Sequence, residues 1–329
     1  MKLEPGALAP LVAELRARIE LGYKQDVQLA ARVLGRETQS AWYPDPRPIL
    51  NGDDAAALPD GDGYVLFAAE GIRGELVAAD PWFAGFCSVL TNVNDIAAMG
   101  GRPWAVVDVL FLGSGQNERV LDGMAAASER FGVPVVGGHT ARTAGPSMLA
   151  VAVVGRARRA LHSADARPGH AVVAALALDG SFRGAGGNFD AATSASASLL
   201  RARLAVLPEL TEAGLAAAGK DISMAGLCGT LVMMLEASGC GARLDLARIP
   251  APPGVDPMRW LTAFPSFGFL LAVEPDAVAT VQDRFAEVGV ACAAVGEITG
   301  GRTLELSHGD ERDTYWDLRA EPFTGFARS

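Results

Sequence analysis

Two adjacent carboxylates after a glycine, in Asn51-Gly52-Asp53-Asp54-Ala55, are the first residues that could do chemistry. Side-by-side hard oxygen donors suit a divalent cation, and the same residues suit a tight turn. Glu70 ends the apolar run Tyr64 to Ala69, at a strand end that faces either a site or solvent. Asp95 lies within Asn92-Val93-Asn94-Asp95-Ile96-Ala97-Ala98-Met99-Gly100. Ser88, Thr91, Asn92 and Asp95 recur at three- and four-residue spacing, so they share one face of a helix. That face is either solvated or a buried, wet site in which Asp95 holds a cation. Solvated faces carry Lys, Glu and Arg, and none occurs from Asp80 to Gly101. Gly137-Gly138-His139-Thr140 follows a short apolar strand. Such glycines let backbone N–H groups approach a ligand, and tight turns use them too. His139 reads either as a structural histidine or as a ligand. Asp221 and Ser223 precede a predicted helix, where both suit an N-cap. Lys24, in the polar link Tyr23 to Asp26, reads as solvated or as a phosphate-facing group.

The elements that must position these residues follow from the apolar pattern. Asp80 caps a predicted helix over 81–99, Pro81 suits its first turn, and Gly100, Gly101 and Pro103 end it. Leu8, Leu11, Val12, Leu15 and Ile19 predict a first amphipathic helix ending near Gly22, and Asp26 to Gly35 a second. Residues 36–50, with Pro44, Pro46 and Pro48, read as an extended linker. Strands are expected at 64–69, 104–111 (interrupted by Asp108), 133–136, 148–154 and 170–178, with a helix at 116–131. Gly180, Gly184, Gly186 and Gly187 form a loop that lacks a P-loop lysine and a dinucleotide spacing, and reads as a lid or plain loop. Helices are expected at 191–205, 209–218, 220–238 and 276–288, and strands at 243–246, 267–273, 291–298 and 302–307. The charged tail after Gly309 reads as weakly structured.

The chain has 329 residues, half of them hydrophobic, and a net charge of −10. That suits two domains and argues against nucleic acid, since no basic cluster exists to drive counterion release. The four scattered cysteines form no CxxC pair and fit a reducing cytoplasm. No apolar run reaches membrane-spanning length, and no basic-then-apolar leader pattern is seen, so no membrane partner is expected.

In order, Gly52-Asp53-Asp54-Ala55, a strand-end carboxylate, the Asn-x-x-Asp-Ile-Ala-Ala-Met-Gly helix, Gly137-Gly138-His139-Thr140 and Asp221-Ile222-Ser223 resemble the superfamily of aminoimidazole ribonucleotide synthetase. This PurM-like group includes thiamine-monophosphate kinase, selenophosphate synthetase and the hydrogenase maturation protein HypE. The resemblance spans about residues 50–300. Leu235-Glu236-Ala237-Ser238-Gly239-Cys240 and the residues to Leu246 look most like the kinase. It implies a two-domain α/β (α+β) fold, with an N-terminal sheet domain that forms a barrel in a homodimer and a C-terminal sheet-and-helix domain. The expected boundaries are 1–50 for helices and linker, 51–158 for the ATP- and metal-binding domain, and 159–329 for the C-terminal domain. It implies ATP in a cleft with Mg2+ held by Asp53, Asp54, Glu70 and Asp95. Asn92, Gly137, Gly138, His139 and Thr140 would lie near the nucleotide. Asp221 would bind metal or orient an acceptor, and Lys24 parallels a lysine of selenophosphate synthetase.

The departures bear on the substrate. The kinase's Thr-Thr-Asp appears as Ala68-Ala69-Glu70, and the second aspartate of its Asp-x-Ser-Asp-Gly is Met224. Its Gly-Glu-Asp-Tyr-Glu-Leu appears as Pro265-Ser266-Phe267-Gly268-Phe269-Leu270, without acids. The resemblance implies ATP- and Mg2+-dependent phosphoryl transfer to an unidentified small-molecule acceptor, as in thiamine-monophosphate kinase, and these departures argue against thiamine monophosphate itself. Alternatives are an ATP-dependent cyclo-ligase or dehydratase, or a nucleotide-binding homologue without catalysis.

Overall fold

The computed structural model describes residues 1–34, 49, 51–113, 117–184, 186–265 and 268–326. The expected proline linker lies outside the described residues, Ile49 apart. The chain opens with α1 (Leu8–Arg16), α2 (Ile19–Gln25) and α3 (Val27–Leu34). Then come β1 (Ala56–Asp60), β2 (Gly63–Ile72), α4 (Gly74–Ala79), α5 (Pro81–Ala98), β3 (Arg102–Leu112), α6 (Asn117–Phe131), β4 (Val135–Arg142) and β5 (Met148–Ala157). The second half runs β6 (Ala171–Leu176), β7 (Ser181–Phe182), β8 (Phe189–Asp190), α7 (Ala197–Glu212), β9 (Ala218–Asp221), α8 (Gly226–Ser238) and β10 (Gly241–Asp245). It ends with α9 (Pro257–Leu261), β11 (Gly268–Val273), α10 (Val278–Ala286), β12 (Ala291–Thr299), β13 (Thr303–His308) and β14 (Glu311–Asp317). No disulfide joins the cysteines. Among the described residues no helix is long and apolar enough to cross a membrane.

Contacts divide the chain into two compact units, Asp54–Ala160 with Ala192–Glu212, and Met1–Asp53 with Leu161–Ala191 and Ala213–Ser329. The first, the N-terminal sheet unit, holds a five-stranded sheet in the order β1-β2-β5-β3-β4. Its neighbours are antiparallel except β3 and β4, which run parallel. The sheet is open, and no closed barrel occurs among the described residues. Alternation along the strands sends Leu66, Val106, Leu110, Leu149, Val151 and Val153 to one buried face. Helix α5 packs against β2, β3 and β5 on this unit. The opposite face carries Phe67, Val107 and Val109, all exposed. Helix α5 begins as its sequence predicts: the Asp80 side chain accepts from the Phe83 amide at 3.1 Å and Pro81 opens the first turn. Against α6 it packs backbone to backbone. A Cβ on Gly85 would strike the Val120 carbonyl and one on Gly123 the Trp82 carbonyl, so both positions need glycine.

The C-terminal sheet unit is built on a seven-stranded sheet, β14-β13-β10-β12-β6-β11-β9. Strands β6 and β11 are buried almost throughout, which explains their continuous apolar runs. Helix α8 carries Glu236, only 2% exposed. Its carboxylate accepts from the amides of Phe323 (2.8 Å), Thr324 (2.6 Å) and Gly325 (3.2 Å) and from the Thr324 hydroxyl (2.5 Å). A buried acid is thus satisfied by the backbone of the C-terminal segment.

Four expectations about elements are corrected here. The predicted helices 191–205 and 209–218 are one helix, α7, which runs through Pro208, followed by strand β9. Burial of Leu200, Val206, Leu207 and Leu210 outweighs the backbone hydrogen bond that the proline removes. Neither Asp221 nor Ser223 is the N-cap of α8: Asp221 ends β9, and Ala225 is the residue before α8. The tail after Gly309 forms edge strand β14, whose charges suit an edge and whose Tyr315 and Trp316 are buried. The first predicted helix breaks at Arg18, which is extended, into α1 and α2.

Replacing Glu236 with Ala leaves four donors without an acceptor in the interior. The expected cost is about 3 kcal/mol, read as a lower urea midpoint together with faster amide exchange at Phe323–Gly325.

Candidate functional site

The sequence-predicted residues divide between the units. Asp53, Asp221 and Lys24 belong to the C-terminal sheet unit. Asp54, Glu70, Asn92, Asp95 and Gly137 to Thr140 belong to the N-terminal one.

In the C-terminal unit the Asp53 side chain is wholly buried and bonded through both oxygens. Oδ1 meets Lys220 Nζ at 3.3 Å. Oδ2 meets His162 Nδ1 at 2.6 Å and accepts from the Ser163 amide at 2.7 Å. Burial alone would push this carboxyl up. The Lys220 ammonium, the His162 ring and the Ser163 amide reverse that and hold it at about 2. Lys220 is itself buried, on β9 beside Asp221, which is 5% exposed. The Ser223 amide donates to Thr230 Oγ1 at 3.2 Å. Ser223 Oγ is buried and has no hydrogen-bond partner among the described residues. Lys24 sits half-buried in the last turn of α2.

In the N-terminal unit the polar stripe of α5 is buried rather than solvated. Ser88 and Asn92 are 0% exposed and Asp95 5%. Ser88 donates to the Gly85 carbonyl, Thr91 to that of Cys87, and Asn92 Nδ2 to that of Ser88 at 2.8 Å. These bonds fold the stripe's neutral members back onto their own helix. Asn92 Oδ1 is left buried and without a hydrogen bond among the described residues. Asp95 occupies the last turn of α5, where the helix dipole is negative and disfavours an anion.

The sheet aligns the other candidates. Glu70 on β2 pairs with Val151 on β5, Val151 with Asp108 on β3, and Asp108 with Gly138 on β4. Directly paired residues point to the same face. Glu70, Asp108 and Gly138 therefore share the face that carries buried Val151. A Cβ on Gly138 would run into the Asp108 carboxylate and lie 2.6 Å from its carbonyl oxygen. Glycine is required there by the acid on the next strand. Burial pushes the Asp108 carboxyl up from its ordinary value. Gly137, His139 and Thr140 are exposed on edge strand β4, and the His139 ring leans on Phe111 with centroids 5.7 Å apart. Glu70 is exposed at the end of β2. Among the described residues no three His, Cys, Asp or Glu side chains converge as a metal cage.

Sequence reasoning missed Lys220, His162 and Asp108. Asp108 left a trace as the one acid in an apolar strand. Lys220 is 167 residues from Asp53, and no local signal joins them.

Residues 52–157 match the N-terminal domain of AIR synthase related proteins, and residues 167–309 match the C-terminal domain. The chain belongs to the AIR synthase-related, PurM-like family. An uncharacterised protein of Synechocystis sp. is 46% identical over 97% of this chain and 98% of its own length. The PurL subunit of phosphoribosylformylglycinamidine synthase from Methanopyrus kandleri is 26% identical over 79% of this chain and 40% of its own. PurL of Thermotoga maritima, solved in complex with ATP, superposes with a TM-score of 0.74 at 18% identity, over 98% of this chain and 53% of PurL. AaThiL, solved with AMPPCP and TMP, superposes with a TM-score of 0.66 at 17% identity, over 88% of this chain and 94% of AaThiL. The chain thus spans about half the length of the PurL proteins it resembles.

Because the Asp53 carboxyl is depressed in the fold, its contribution is complete above pH 3.8 and is lost as pH falls through about 2. The shift corresponds to about 2 kcal/mol. Urea midpoints measured from pH 5 to pH 2 should fall more steeply for the wild type than for Asp53→Asn/Lys220→Met, which lacks the pair.

Proposed function

We propose that this chain binds ATP with Mg2+ and transfers its γ-phosphoryl group to a small-molecule acceptor. The observation that carries the reading is Asp95, an acid buried in the last turn of α5 within the family's Asn-x-x-Asp-Ile-Ala-Ala-Met-Gly segment. Burial and the helix dipole both disfavour an anion there, and a divalent cation offsets both. Asp54 and Glu70 supply further hard oxygen donors. Mg2+ is commonly held by one or two carboxylates and completed by phosphate oxygens. When bound, Mg2+ would neutralise the charge of the phosphates. The protein's own part is positioning. The exposed backbone of Gly137 and Gly138, beside His139 and Thr140, offers donors to the nucleotide, and buried Asn92 Oδ1 an acceptor to a water. Asp221, with Ser223 two residues on, suits orienting the acceptor.

The structures of PurL with ATP and AaThiL with AMPPCP support a nucleotide site in this fold. Met224, in place of an acid of the kinase motif, argues against thiamine monophosphate as the acceptor. A second copy of the chain suits the exposed apolar sheet face of Phe67, Val107 and Val109, which supports a homodimer. The PurL sequence relatives favour a second reading, in which ATP activates an amide oxygen and phosphate leaves.

A screen of small-molecule acceptors with γ-labelled ATP separates the two. Label in a stable acceptor phosphate is the expected result. Label only in free phosphate, with a product changed by loss of oxygen, favours the ligase. Asp95→Asn should lower turnover at least about 100-fold, and unchanged turnover would remove Asp95 from the mechanism.

A further inference from the structure

The family resemblance implies a metal role for Asp53, yet its surroundings do not fit a metal ion. Both oxygens are already engaged, by Lys220 Nζ at 3.3 Å and by His162 Nδ1 at 2.6 Å with the Ser163 amide at 2.7 Å. The carboxylate is 0% exposed and the Lys220 side chain 4%. A divalent ion on this carboxylate would displace the imidazole, or displace the ammonium and strand it where solvent scarcely reaches. It would also bring a second positive charge against Lys220 in a medium that screens poorly. Three protein donors take up most of the acceptor capacity of one carboxylate. The segment that supplies the ammonium, Lys220-Asp221-Ile222-Ser223, also supplies Asp221.

We propose that the Lys220 ammonium takes the place of a divalent ion at Asp53, so that Lys220 sets how many metal ions this chain binds. Asp53 is then a positioning residue: it anchors β9, with Asp221, through Lys220, and holds His162. The metal role in the Gly-Asp-Asp segment falls to Asp54. This inference goes beyond the phosphoryl-transfer reading and does not depend on turnover.

The test counts Mn2+ ions bound to the full chain, from the loss of the free-Mn2+ electron paramagnetic resonance signal. Asp53→Asn/Lys220→Met removes both charges together and leaves neither buried alone, which keeps the variant foldable. It should bind as many ions as the wild type. Lys220→Met alone should bind one more, because Asp53 is released to take it. A double variant that binds one ion fewer than the wild type overturns the proposal, and so does a folded Lys220→Met that gains none. If Lys220→Met fails to fold, the double variant decides. Asp95→Asn reports separately on the proposed function: loss of an ion there supports that reading. A wild type that binds no Mn2+ sinks it, and Lys220→Met must then bind one for the present proposal to stand.

Discussion

A carboxylate taken out of water needs its charge met, and the interior of this protein meets that need in different ways. Glu236 is met by backbone: three amides and a hydroxyl of the C-terminal segment close on it. Asp53 is met by a protein cation, Lys220, with His162 and the Ser163 amide completing the shell. Each solution ties distant parts of the chain together, because the acid is worth burying only when its partners are in place. Asp95 is placed differently, in the last turn of a helix whose dipole opposes it.

The sheet of the N-terminal unit sets residues from distant segments in one row. Strands β3 and β4 run parallel, so they deliver Asp108 and Gly138 side by side with the same direction of exit. Strand β5 lies between β3 and β2 and brings Glu70 into the same row through Val151. Gly138 is fixed by Asp108, whose carboxylate fills the space that a Cβ would need. A Gly-Gly pair of this kind serves two purposes at once. It exposes backbone donors at a sheet edge and makes room for an acid on the neighbouring strand.

Much of the fold was legible because its signals are local. Asp80, Pro81 and the Gly100-Gly101 pair bracket α5 to within a residue, and the apolar runs of β2, β3, β5 and β11 announce themselves. Length and tertiary context defeated the rest. Strand β9 spans four residues, and its Lys220-Asp221 looks like the start of a helix. Pro208 looks like a helix end until the burial around it is known. The charges of β14 suit a solvated tail and an edge strand equally well. For the site, the family resemblance singled out Asp95 and the Gly-Asp-Asp segment, and periodicity placed Asp95 on a polar stripe. Only the fold distinguished a buried stripe from a solvated one. The partner of Asp53 lay beyond sequence reading, since Lys220 and His162 reach it from two distant segments that share no motif with it.

In the proposed function the acidic set of the N-terminal sheet unit serves a nucleotide through a divalent ion. Calorimetric titration of ATP into the full chain, with and without Mg2+, tests it most directly when repeated on Asp95→Asn. Binding should require Mg2+ and weaken at least about tenfold in the variant, a difference of about 1.4 kcal/mol. Binding of equal strength without Mg2+, or none under either condition, would contradict it.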